Sequence, residues 1–148
     1  MFEELKYIEM SGKKYPIKCD LVVLENIQNE FGDLDEFEEG LITRELKLDE
    51  NGEVVRNEDG EEVYKGKFPD MKAVNTALYL MVKEGEEITA EKENRKAVIL
   101  SRKEIARKAD VNPWELARQL HDEYYRCFHI KNAETTQNQK SQKKETNS

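Results

Sequence analysis

Fourteen residues in the middle of this chain are unsuited to any core. From Asp49 to Glu62 there are seven acidic side chains and a single basic one, Arg56. The stretch also repeats itself: Asp49-Glu50-Asn51-Gly52-Glu53-Val54-Val55-Arg56 is echoed by Asn57-Glu58-Asp59-Gly60-Glu61-Glu62-Val63-Tyr64. Burying so many like charges without partners is prohibitive, so the segment must stand in solvent and the core must come from the sequence on either side. Asn-Gly and Asp-Gly are favoured hairpin turns, which predicts a projecting acidic β-arm over 46–65, inserted into one domain spanning 1–130.

The flanks carry ordinary folding signals. Tyr7-Ile8-Glu9-Met10 and Tyr15-Pro16-Ile17-Lys18 flank the turn-forming Ser11-Gly12-Lys13-Lys14, the pattern of a β-hairpin with Pro16 holding its strand at an edge. Asp20 is placed to cap a helix over 20–31, in which Val23, Leu24, Ile27 and Phe31 form one apolar stripe and Gly32 occupies the C′ position. Leu34 to Glu38 adds a further turn of helix, closed by Gly40. Pro69-Asp70 opens a helix over 70–84, where Val74, Ala77, Leu78, Met81 and Val82 share a face and Gly85 reads as the stop. Tyr79 and Leu80 lie off that stripe, so this helix is either nearly surrounded or presents a second contact face. Glu84 to Glu93 then reads as an acidic connector.

Ser101-Arg102-Lys103-Glu104 fits a capping box and starts a helix over 101–109. Asn112-Pro113-Trp114-Glu115 opens the last helix, over 113–129, with Ala117, Leu120, Tyr124 and Phe128 on one face. Residues 131–148 have Ala133 as their only apolar side chain and a net charge of +2, the composition of a disordered tail. The expected class is α+β and mainly helical: an N-terminal hairpin, about four helices, the arm and the tail.

Composition narrows the function. Lys and Arg total 24 against 32 Asp and Glu, a net charge of −8, and only 37% of residues are hydrophobic. An acidic surface repels phosphate backbones and anionic lipid. The longest apolar run, Ala77 to Val82, is six residues, far short of the ~20 that span a bilayer. Two cysteines, Cys19 and Cys127, are too few for a disulfide framework. With no signal peptide after Met1-Phe2-Glu3-Glu4, they suggest a reducing cytoplasm. His121 and His129 are the only histidines. These features predict a cytoplasmic protein without catalysis, cofactor or metal.

Three constellations test that expectation. An EF-hand loop needs oxygen ligands at positions 1, 3 and 5, Gly at 6 and Glu at 12. With Gly60 at position 6, Val55 falls first and Gly66 twelfth; with Gly52 at position 6, Lys47 falls first. Neither frame works, and a solvated turn is the better reading. His121, Cys127 and His129 suggest zinc by type, but Cys127-x-His129 is not a ligand spacing zinc favours. Lys103 to Leu120 has the outline of a helix-turn-helix, with a turn at Asp110-Val111 and local bases Arg102, Lys103, Arg107, Lys108 and Arg118. Its second helix offers only Arg118 and Gln119 early enough to read bases and runs on into Asp122-Glu123, which a phosphate backbone repels. DNA binding through 103–120 stands as the alternative function.

The order of elements carries a resemblance. The hairpin Gly12-Lys13-Lys14-Tyr15-Pro16-Ile17 runs at once into Val22-Val23-Leu24-Glu25-Asn26-Ile27-Gln28-Asn29-Glu30-Phe31-Gly32. After a variable middle come Asp70-Met71-Lys72-Ala73-Val74-Asn75, Lys83-Glu84-Gly85-Glu86-Glu87, Val111-Asn112-Pro113 and a final helix ending Tyr125-Arg126-Cys127-Phe128. Over about residues 5 to 130 this is similar to the tail assembly chaperones of siphophages and prophages of Gram-positive bacteria. The arm is not part of the pattern. The resemblance implies a non-catalytic protein that binds the tape measure protein and keeps it soluble while tail tube subunits are recruited around it. It also implies a tail able to serve as a linker if a longer product is made by frameshifting. Tyr79, Leu80 and Trp114, outside the main stripes, and Tyr125 beside them are the candidate partner-binding residues, with burial inside the fold the competing reading for Trp114.

Overall fold

The computed structural model describes residues 4–128, and over them the chain is a mainly helical α+β fold. β1 (Lys6–Met10) and β2 (Lys13–Ile17) form the expected antiparallel hairpin, with Tyr7 opposite Pro16 and Met10 opposite Lys13. Its loop is the two residues Ser11-Gly12, both at positive φ (+50° and +75°), the twist that suits a tight hairpin. Alternation buries Ile8, Met10 and Ile17 on one face.

α1 (Leu21–Phe31) is capped by Asp20, whose carboxylate accepts the Val23 N–H, and ends at Gly32 with φ +85°. α2 (Leu34–Leu41) is longer than the single turn expected. Gly40 lies inside it rather than after it. Its carbonyl accepts the Asp70 N–H at 2.8 Å, and a β-carbon there would stand 2.7 Å from that of Ala73. The glycine lets α2 press against the start of the next long helix.

The arm follows, with a stem of β3 (Arg44–Leu46) paired to β4 (Tyr64–Gly66). Above the stem it branches into two leaves, closed by the pairs Leu48–Val54 and Arg56–Glu62. At the junction the Lys47 N–H donates to the Val63 carbonyl, Val63 to Val55, and Val55 to Lys47, at 2.8, 3.0 and 2.9 Å. Three residues eight apart thus close a ring of backbone hydrogen bonds, and the sequence repeat is the means of doing so. The leaves are three-residue loops with Gly52 and Gly60 at φ near +80°, not the two-residue turns that Asn-Gly and Asp-Gly suggest.

α3 (Met71–Lys92) is the axis of the fold. Its expected stripe of Val74, Ala77, Leu78, Met81 and Val82 is buried, as are Ala73 and Leu80, so this helix is nearly surrounded. The helix does not stop at Gly85. It runs two more turns through the supposed acidic connector to a cap in which Asn94 takes φ +52° and the Arg95 N–H returns to the Ala90 carbonyl. Gly85 is where β2 crosses the helix: the Lys18 N–H donates to the Met81 carbonyl, and any β-carbon at 85 would lie 2.1 Å from the Pro16 oxygen.

α4 (Arg102–Lys108) starts at the predicted capping box of Ser101 and Glu104. The last helix, α5, covers 113–128 of the described residues, and the expected tail lies outside them. Asn112 accepts the Trp114 N–H at 2.8 Å, but Glu115 turns to Arg118 and Gln119 instead of completing a second box. The core joins hairpin and helices, and through it Phe31, Phe37, Tyr124 and Phe128 run as successive ring contacts at 5.5, 5.4 and 5.1 Å.

Candidate partner-binding site

The outer face of α5 carries Trp114, Arg118, His121 and Tyr125, spaced i, i+4, i+7 and i+11, which is one stripe of an α-helix. Trp114 keeps 44% of its surface exposed and Tyr125 keeps 51%. Phe68, 54% exposed on the segment between arm and α3, sets its ring edge-on to Trp114 with centroids 4.9 Å apart. Between the rings the polar groups are already partnered. Arg118 is clamped by Glu115 and by Asp122 at 2.8 Å, and His121 meets Glu38 at 2.9 Å. The Arg118 guanidinium, with Gln119, holds the Glu115 carboxyl down at about 2. The stripe therefore offers aromatic surface and no charge still seeking a partner on Arg118.

The other two expected contact residues do not join it. Leu80 is 6% exposed and belongs to the core, so in the folded chain it offers a partner no surface. Tyr79 is half-buried on α3, with the Arg102 guanidinium 4.7 Å from its ring centroid and Arg102 itself paired to Glu30. That arrangement joins α3 to the start of α4.

Two surface features escaped the sequence. Phe68 sits in no periodic element, so no stripe marks it. The other is a groove of about 560 Å³ between the hairpin and the C-terminal half of α3, floored by Tyr15, Val82, Leu100 and Ile105. Its far wall, the 95–100 segment, is tied down by Glu86, which accepts from Arg95 at 2.7 Å and from the Val98 N–H at 2.8 Å. Those bonds, Arg95 first, hold the Glu86 carboxyl below its usual range.

The helix-turn-helix outline is present as a corner between α4 and α5. The hairpin tip occupies the outside of that corner: Ser11 donates its N–H to Asp110 at 2.9 Å and its hydroxyl to the Lys108 carbonyl at 2.8 Å. The supposed recognition helix shows the acids Glu115 and Asp122 on either side of Arg118, the one base they neutralise.

Under the hairpin, Glu123 is 1% exposed, accepts the Cys19 N–H at 2.8 Å and binds the Arg126 guanidinium through both oxygens. The Cys19 and Cys127 thiols interact beside it. The hydrogen bond from Cys19, helped by Arg126, lowers Cys127 to about 7, while the same contact and burial push Cys19 up. Among the described residues no group of three His, Cys, Asp or Glu side chains is placed to hold a metal ion. In the arm, Asp49 and Asn57 spend their side-chain oxygens on the backbone N–H groups of their own turns. Among the described residues no helix is long and apolar enough to cross a membrane. Comparison with protein-family models, curated proteins and solved structures finds no match to this chain.

Proposed function

We propose that this chain is a non-catalytic assembly factor: a phage tail assembly chaperone that works in the bacterial cytoplasm and binds the tape measure protein while tail tube subunits are recruited. The specific partner rests on the resemblance in element order described above. The observation that carries partner binding is the α5 stripe, where Trp114 and Tyr125 stand exposed on the helix and Phe68, from the segment before α3, packs edge-on against Trp114. Large aromatic side chains on a fixed scaffold are the usual anchors of protein interfaces. A partner helix laid along this stripe meets rings and an Arg118 that is already neutralised, so docking strands no charge. The acidic remainder of the surface opposes self-aggregation while those rings are uncovered.

Co-expression with the tape measure protein encoded beside it is expected to raise that partner's soluble yield. Trp114→Ala or Tyr125→Ala should each weaken the complex by about tenfold or more, in line with the 1–2 kcal/mol typical of aromatic anchors. An unchanged soluble yield would overturn the reading. The α4–α5 corner keeps DNA binding as a second reading. Tight binding to duplex DNA with a steep salt dependence, lost in Arg118→Ala, would support it instead.

A further inference from the structure

The groove beside α3 is rimmed by Lys13 and Lys14 of the hairpin, Lys83 of α3 and Lys108 of α4. Among the described residues none of these four has an ion-pair partner, whereas Arg95 on the same rim is taken by Glu86 and Glu93. Lys13 also lies over the Tyr15 ring and acts on Glu86, but with Arg95 the groove still sets five cations against Glu86 and Glu93 on a chain of net charge −8. They call for an occupant that is acidic and partly apolar.

The arm has that chemistry. Seven acids against Arg56 give it a net charge of −6 between Asp49 and Glu62, and it exposes Leu48 and Tyr64 just outside the two ends of that stretch. The junction of Lys47, Val55 and Val63 holds its leaves as a preformed shape, so little order has to be gained on docking. The arm is also rooted at the wrong end of its own molecule. Its stem is tied to α2 by Lys67 and Glu39 beside the start of α3, while the groove lies along the other half of that helix. From Met71 to Glu86 is fifteen residues, about 22 Å of helix.

We propose that the groove receives the acidic arm of a second copy of this chain. Each copy has one arm and one groove, so two copies can exchange arms reciprocally and close a twofold dimer, and a head-to-tail contact builds rings or filaments instead. The inference rests on charge and placement and is independent of what binds the α5 stripe.

Sedimentation velocity over about 10 μM to about 1 mM, where small polar interfaces associate, should show the monomer giving way to a dimer or larger species as concentration rises. Two charge-swapped variants test the contact. One carries Lys13→Glu, Lys83→Glu and Lys108→Glu; the other carries Glu50→Lys, Glu53→Lys, Glu58→Lys and Glu61→Lys, which spares the turn-forming Asp49 and Asn57. Each alone should associate at least about tenfold more weakly, since like charges then face one another. Mixing the two restores opposite charges at every contact and should restore the associated species. Far-ultraviolet circular dichroism and melting of each variant separate loss of contact from loss of fold. A wild-type chain that stays monomeric throughout, a folded swap that associates as before, or a mixture that fails to recover would each overturn the proposal. A monomer whose groove instead captures an acidic segment of another protein counts among the overturning results.

Discussion

A methyl group on Gly85 would lie 2.1 Å from the Pro16 carbonyl oxygen and 2.8 Å from the Ile17 nitrogen. Both are backbone atoms held in the hairpin, so neither can step aside cheaply. Gly85→Ala removes a flexible residue from a helix interior, which by itself would stabilise by about 0.5–1 kcal/mol, yet here overpacking should win and cost about 1–3 kcal/mol. Gly66→Ala, where nothing lies within 4 Å, is the control, and urea denaturation of the two variants compares them. A glycine after an apolar stripe looks the same in sequence whether it ends a helix or admits a neighbouring backbone, and only the fold distinguishes the two uses. The clue lay further on: Glu86 to Lys92 contains no stop residue before Asn94. Glu123 poses a related problem, since one buried carboxylate among thirty-two acids has no signature in sequence. Its charge is stabilised by the Cys19 N–H and by Arg126. Arg126→Met leaves it uncompensated and is expected to cost about 3–5 kcal/mol. Adding Glu123→Gln should recover much of that loss in the same denaturation measurement.

Among the elements, those with a capping residue and a periodic stripe were legible. Asp20, Asp70, Ser101 and Asn112 each sit where a helix begins, because their side chains satisfy N–H groups that the first turn leaves open. The candidate site was legible only in part. Trp114 and Tyr125 stand out on α5, but Phe68 reaches Trp114 only through tertiary packing, as the groove lysines from Lys13 to Lys108 meet only through packing of segments nearly a hundred residues apart. The arm was recognisable by its charge, and its branching was not, since the ring of Lys47, Val55 and Val63 depends on backbone bonds between three segments. No arm residue between Arg44 and Gly66 enters the core. Leu46 and Tyr64 are opposite one another in the stem, so an Asn-Gly turn can join them in place of 47–63. That excision should change stability by about 1 kcal/mol or less, as surface changes do. Thermal melting followed by circular dichroism checks it, and a collapse of the fold would mean that the arm supports the core.

The response of the whole molecule to pH turns on how its acidic groups are partnered. Most carboxylates are exposed, but Glu84 on α3 faces Asp20, the cap of α1. Burial first, then the hydrogen bond and repulsion from Asp20, with a smaller push from Glu87 against the pull of Lys18, raise the Glu84 carboxyl to about 8. Glu84 therefore keeps its proton in the folded chain at neutral pH and shares it with Asp20, which stays available to the Val23 N–H. In the unfolded chain Glu84 titrates near its ordinary value of 4.5. Between these two values the folded state binds the extra proton, so this pair's contribution is fully present below about 4.5 and is lost as pH rises through about 8. Above that, two carboxylates confront one another at the point where α1 meets α3. Glu84→Gln keeps a hydrogen-bond donor toward Asp20 at every pH. The variant should match the wild type near pH 4.5 and melt at a higher temperature at pH 8.5, its advantage opening across that window. Melting temperatures of both proteins at half-unit steps test this directly, because groups common to the two, Cys127 included, cancel in the difference. An offset that stays constant with pH would mean that Glu84 titrates in the folded chain as it does in the unfolded one.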